Sequence, residues 1–313
     1  MEHEPKTLQQ AVVYFADQNN CREYLVVRRW PNGVICPCCG SDRVVFLAKY
    51  NRWQCSRKHP MRQFTCKTGT IMEDSPIGLD KWLMAMWLIV NCKNGISSYE
   101  IHRAIGVTQK TAWFMDHRIR LALGIEHQDR LIGHVEVDET FIGGKAHNMH
   151  ATKRARRITG TGGKDKTAVM GILERGKDGK TSRSTVIPNR KKKAIQAEVR
   201  KHVDAGAALY SDALKSYEGL DEFQHQVIDH AVKYVDANVH TNGLENFWSL
   251  FKRAVNGTYV SVEPFHLFRY LDEQGYRFNN RKLTDAGAVR GIVGKRLTFA
   301  QLIGKMASST CLN

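Results

Sequence analysis

Five of the eight cysteines crowd between Cys36 and Cys66, and their spacing constrains that part of the chain more than any other feature. Cys36 and Cys39 are separated by two residues, and Cys55 and His59 by three. Each short pair lets two side chains converge on one ion, and two pairs complete a tetrahedral structural zinc site. Gly40 allows the tight knuckle turn after Cys39. Val44 to Trp53, between the pairs, reads as a hairpin, so the block is expected to form a zinc ribbon. Cys38 and Cys66 are left over, and Cys66 competes with His59 for the fourth ligand position. Cysteines grouped with histidine in a cytosolic chain more often bind metal than form disulfides.

Such a ribbon is small, and 313 residues leave room for two or three domains, one with a full-sized core. Hydrophobic residues at 42% and charged residues at 25% describe a folded rather than a disordered chain. The balance of 47 Lys+Arg against 31 Asp+Glu gives a net charge of +16, which points to a polyanionic partner. An acidic membrane surface is the competing partner. No apolar run approaches the roughly 20 residues that span a bilayer, and the best stretch, Trp82 to Val90, reads as a buried helix. The N-terminal MEHEPKTLQQ lacks the charge pattern of a signal peptide, so a cytoplasmic location is expected.

Along the chain, residues 7–29 carry helical apolar spacing with a turn at Asp17 and Asn19. A helical N-terminal segment (1–33) therefore precedes the ribbon (34–70). Pro76-Ile77-Gly78 breaks the pattern before an apolar helix from Leu79 to Val90. Two helical segments follow, Tyr99 to Ile105 capped by Ser97 or Ser98, and Gln109 to about Leu123 capped by Thr108. Gly106-Val107 is the turn between them, and 71–127 reads as a helix-turn-helix domain. After 131 the period changes to two. Strands are expected at His134–Asp138, Thr167–Glu174, Thr181–Ile187, Ala207–Ser211 and Gln226–Ile228, with a hairpin turn at 176–179 and helices at 190–203 and 244–255. That order mixes an antiparallel meander with a βαβ crossover in a second large domain over 131–285, followed by a tail over 286–313. The Gly- and Lys/Arg-rich stretch 143–166 reads as a long mobile loop. Within it, Gly160 to Lys164 resembles a phosphate loop but lacks the spacing and the Ser/Thr after Lys164.

The helix pair suits DNA reading. Gln109, Lys110 and Thr111 would face the groove, while Ala112, Trp113, Met115 and Ile119 hold the second helix to its neighbours. Arg118 and Arg120 are expected to reach phosphates, and Lys153, Arg154, Arg156 and Arg157 to add sequence-independent attraction.

Three acids stand out by context. Asp138 lies in the first strand of the second domain, Asp212 follows a short apolar strand, and Glu245 opens a late helix. Lys252 lies seven positions after Glu245, on the same helix face. Leu244, Phe247, Trp248 and Phe251 form the stripe that packs this helix on the sheet. Two magnesium ions roughly 3.5–4 Å apart can stabilise both the attacking and the leaving oxygen of a phosphodiester displacement. Such hard cations take oxygen ligands, so two Asp at strand ends and a Glu from a packed helix suit Mg²⁺ or Mn²⁺. Glu136 shares a strand face with Asp138 one pleat away and could support it. Glu139 points to the opposite face. His225, His230 and His240 read as surface or core histidines.

The segments CPCCGS (36–41), RQFTCKTGTIMEDSPIGLDKW (62–82), GVTQKTAWFMDHRIRLA (106–122), VDETFIGGK (137–145), YSDALKSY (210–217) and HTNGLENFWSLFKR (240–253) occur in that order. With them the chain, over about 20–285, resembles the insertion-sequence transposases with an N-terminal zinc ribbon, a helix-turn-helix and an acidic-triad, RNase-H-like catalytic domain. The resemblance implies a multidomain α+β and α/β protein in which a mixed RNase-H-like sheet is flanked by helices. It implies Asp138, Asp212 and Glu245 as ligands of Mg²⁺ or Mn²⁺, with Lys252 on transposon-end DNA. Some members carry Asn as the last ligand, which makes Asn242 the reserve. The second zinc pair, Cys-x3-His, departs from the regular pattern. The implied activity is cleavage of double-stranded transposon ends and joining of the 3′-hydroxyl to target DNA, by a homo-oligomer on DNA at the nucleoid. A nuclease without strand transfer and a transcription regulator with a dead core are the rivals.

Overall fold

Short polar side chains start the first two helices in the computed structural model of the chain. Thr7 caps α1 (Leu8–Phe15), and Asp17 accepts from the backbone of Asn19 and Asn20 to cap α2 (Gln18–Arg29). The structure describes residues 4–124, 130–144, 149–158, 166–176, 179–228 and 240–293. The chain divides into two units, residues 1–123 with 281–313, and residues 124–280. Among the described residues no helix is long and apolar enough to cross a membrane.

In the first unit, α3 (Leu79–Asn91) is apolar on nearly every side. Trp82, Leu83, Ala85, Met86, Trp87 and Ile89 are all buried, because α1, α2, α4 (Ser98–Ile105), α5 (Gln109–Leu123) and α10 (Asp285–Val293) pack around it. The last of these helices lies in the stretch expected to be tail. The ribbon is a three-stranded antiparallel sheet of β1 (Val44–Leu47), β2 (Arg52–Cys55) and β3 (Gln63–Phe64). The first two strands form the expected hairpin, and the two-residue β3 was not foreseen. Trp30, Trp53 and Phe64 close its small core, with ring centroids 5.8–6.1 Å apart.

In the second unit, five strands stand in the order β6-β5-β4-β7-β8: β4 (His134–Ile142), β5 (Thr167–Gly176), β6 (Gly179–Val186), β7 (Ala208–Asp212) and β8 (Gln224–Ile228). The first three form the antiparallel meander. β7 then pairs parallel to β4, and β8 parallel to β7, after the crossover helix α7 (Lys192–His202). Strand alternation sends Val135, Val137, Met170 and Ile172 into one core with Ile195 and Val199 of α7. The other face carries Leu244, Phe247, Trp248 and Phe251 of α8 (Asn242–Ala254) together with Leu267 and Leu271 of α9 (Leu267–Asn279). The result is a mixed sheet with helices on both faces. The loop expected over 143–166 is corrected in part, because residues Ala151–Arg157 form a helix, α6. Ala, Lys and Arg all favour helix, and no apolar stripe announced it. Gly160 to Lys164 and His230 lie outside the described residues.

Candidate active site and metal centre

The two short pairs of the ribbon converge. The ligand atoms of Cys36, Cys39, Cys55 and His59 all lie within 4.8 Å of one another. Backbone bonds from Cys36 to Ser41 O (2.8 Å) and from Gly40 to Cys36 O (2.9 Å) close the knuckle. Gly40 sits at φ +70°, where only glycine is unstrained. Cys39 Sγ is 3.7 Å from Cys55 Sγ, and Cys36 Sγ is 3.4 Å from His59 Nε2. Zinc–ligand bonds of 2.3 Å to sulfur and 2.0–2.1 Å to nitrogen give tetrahedral edges of about 3.8 and 3.6 Å, so the quartet fits zinc. Cys38 and Cys66 stand outside this group. Cys66 is buried, and burial pushes its thiol up.

The helices α4 and α5 are joined by Gly106 at φ +61°. A capping box starts α4, with Ser97 and Glu100 bonding each other's backbone. Thr108 Oγ1 accepts from the Thr111 backbone (3.1 Å) at the start of α5. Lys110 is exposed, Gln109 donates to Ser98 Oγ (3.0 Å), and Thr111 bonds Thr108 Oγ1 (2.8 Å). Two expectations are corrected here. Arg118 and Arg120 do not reach outward; both are buried. Arg118 donates to the carbonyls of Ile71 (2.9 Å) and Glu73 (3.0 Å), and Arg120 lies 4.0 Å from Asp116. Trp113, expected to hold the helix in place, is 41% exposed, while Ala112, Met115 and Ile119 do pack inward. On α6, Arg154 and Arg156 are exposed. The side chains of Lys153 and Arg157 lie outside the described set.

The acids come from three elements. Asp138 stands on β4 toward α8, Asp212 ends β7, and Glu245 lies exposed in the first turn of α8 with Asn242 three residues before it. Lys252, also exposed, follows on the same helix. Asp212 Oδ1 accepts from the Leu214 backbone (3.2 Å), which tightens the turn after β7. The Asp138 carboxyl is pushed up to about 6 by burial, and the charges of Asp212 and Glu245 add to the rise. Asp138 therefore senses the charges of both other acids. They are not drawn as close as the zinc-type quartet, the one such cluster among the described residues. The buried indole N–H of Trp248 lies beside Asp138 without a well-aligned hydrogen bond.

Four supporting features were wholly or partly hidden in the sequence. Glu139, on the face away from α8, accepts from the buried Tyr217 hydroxyl, and burial pushes its carboxyl up to about 7. Glu136 is fully buried and pairs with Arg175, Nε to Oε1 2.6 Å. His240 Nδ1 lies 3.7 Å from the same carboxylate oxygen. Gly171, paired with Asp138 across β4 and β5, leaves the space that Trp248 and Leu244 occupy. Strand alternation had put Glu136 on the face of Asp138 and Glu139 on the opposite one, and His240 stood just ahead of the Glu245 helix; Gly171 carried no signal. His225 contacts Ser211 Oγ at 2.8 Å, a local packing role.

Residues 130–279 match the family described as ISXO2-like transposase domain, and residues 16–68 match the transposase zinc-ribbon domain. A Halobacterium salinarum protein named "Uncharacterized protein in transposable element ISH50" is 29% identical over 256 residues, 76% of this chain and 83% of that protein. An "Uncharacterized transposase-like protein" of Haemophilus influenzae is 30% identical over 102 residues, 32% of this chain and 82% of its own length.

Proposed function

The chain belongs to the insertion-sequence transposases that join an N-terminal zinc ribbon to an ISXO2-like transposase domain, and we propose from this that it cuts transposon ends and transfers the freed 3′-hydroxyl to target DNA. The observation that carries the chemistry is the half-buried Asp138 on β4 beside α8, whose carboxyl is pushed up by burial and by the charges of Asp212 and Glu245. A half-buried carboxylate with two further acids acting on it suits divalent cations held by oxygen. Mg²⁺ or Mn²⁺ bound there would stabilise the attacking and leaving oxygens of an in-line displacement. The sheet order, an antiparallel meander extended by two parallel strands, supports an RNase-H-like reading of this domain.

The other residues divide the remaining work. Lys252, on the helix of Glu245, meets the phosphates of the transposon end. The pair α4 and α5 acts as a helix-turn-helix whose reading residues are Gln109, Lys110 and Thr111, with Lys110 the most exposed of them. The exposed Arg154 and Arg156, with Lys153 and Arg157 beside them in sequence, add contacts to the backbone of any duplex. Two transposon ends must be held together, so the active species is a homo-oligomer on DNA. If the set needs Asn rather than Glu as its third ligand, Asn242 supplies it.

The test is a strand-transfer reaction with a labelled transposon end, a target plasmid and Mg²⁺. Wild type is expected to nick the end and join it to the plasmid. Asp138→Asn, Asp212→Asn and Glu245→Gln are expected to bind the end and do neither. Joining by either Asp variant refutes the ligand assignment, and nicking by wild type without joining leaves a nuclease.

A further inference from the structure

A carboxylate with no exposed surface is costly unless its partners are well placed, and Glu136 has such partners on three sides. Its Oε2 accepts the backbone N–H of Leu244 (2.9 Å), in the first turn of α8. The same N–H also donates to the Thr241 carbonyl (2.9 Å), so Glu136 adds a side-chain acceptor at a helix start that the Thr241 side chain does not cap. Its Oε1 receives Arg175 Nε at 2.6 Å. The Arg175 guanidinium also reaches His240 through Nδ1 (2.8 Å) and the His240 carbonyl, and it lies over the Tyr210 ring at 4.6 Å. One ion pair thus ties β4, β5 and β7 to the chain as it enters α8. Glu245 is the residue after the tethered Leu244, and Asp138 is two residues from Glu136 on the same strand face.

We propose that Glu136, held by Arg175, is a positioning residue that fixes the first turn of α8 and with it the place of Glu245 relative to Asp138. The proposal rests on the reading of Glu245 as a metal ligand. A purely packing role would be served as well by an apolar side chain of similar volume, since burying two charges stabilises little by itself. What a bidentate, charge-paired acceptor adds is direction, because it sets where the helix starts.

The experiment uses the full chain in three forms: wild type, Glu136→Gln, and the double variant Glu136→Met/Arg175→Met. The double variant leaves no unpaired buried charge, so it keeps the fold in case Glu136→Gln does not. Three quantities are measured: hydrogen exchange of the 240–248 amides, Mn²⁺ binding by calorimetry, and the Mg²⁺ dependence of end cleavage. Both variants are expected to bind end DNA as wild type does, to lose protection at the start of α8, and to bind Mn²⁺ about 10–100-fold more weakly. A folded double variant with wild-type exchange and wild-type Mn²⁺ affinity overturns the proposal. If instead Glu245→Gln itself binds Mn²⁺ and cleaves normally, the ligand reading fails and this proposal falls with it. The two failures are therefore distinct.

Discussion

Adding one methyl group at Gly171 tests whether the close approach of α8 to the sheet sets the acidic site. A Cβ built there lies 2.7 Å from Trp248 Cζ2 and 2.8 Å from Leu244 Cδ2. Carbon atoms rest at about 3.5–4.0 Å, so the two side chains must retreat by about 0.7–1.3 Å. Neither has room: Leu244 is 0% and Trp248 3% exposed, and both are wedged among Phe247, Phe251 and Leu271. The helix must then move with them. Ordinarily Gly→Ala within a strand stabilises, by about 0.5–1 kcal/mol. Here overpacking reverses the sign and costs about 1–3 kcal/mol. Because Glu245 rides on the same helix, a misplacement near 1 Å lowers the cleavage rate on the order of 100-fold. The checks are urea unfolding and single-turnover cleavage of a labelled end at saturating Mg²⁺. A Gly171→Ala protein as stable and as fast as wild type would refute the argument that α8 is seated through this gap.

Three further outcomes are expected. One zinc per chain should be found by metal analysis, and Cys36→Ser/Cys39→Ser should lose it together with order across residues 34–66, because a small ribbon draws its folding free energy from the ion; zinc retained in that variant refutes the site. Arg118→Ala should destabilise by about 1.5–3 kcal/mol through the lost bonds to the Ile71 and Glu73 carbonyls, without changing the salt slope of DNA binding. A flattened slope would place Arg118 on phosphate after all. Lys110→Ala should cost roughly 1–3 kcal/mol of preference for the correct end, whereas neutralising Arg154 and Arg156 should weaken binding to all duplexes and reduce its salt dependence; end preference lost from the arginine variant alone would move recognition out of α5.

What could be read from the sequence was whatever depends on neighbours in the chain. The zinc pairs close over two and three intervening residues, so their convergence follows from local geometry. The alternation at His134 onward and the Leu244, Phe247, Trp248, Phe251 stripe are likewise local, and strand and helix formed there. Burial of an arginine is a different kind of fact. Arg118 and Arg120 carry the same charge inside or outside, and only the distant carbonyls of Ile71 and Glu73 decide that Arg118 turns inward. The Glu139–Tyr217 bond spans 78 positions, and the fit of Gly171 to Trp248 depends on two elements that meet only after the sheet is built. The same division runs through the site. Asp138, Asp212 and Glu245 stand out as candidates because carboxylates at strand and helix ends have a chemical meaning before folding. Around them lie Glu136 bonded to the first turn of α8, Arg175 paired with it from β5, and a missing side chain at Gly171. Each of these takes its meaning only from what packs against it. A search for such supports therefore has to begin from the buried charges and tight contacts of the folded chain.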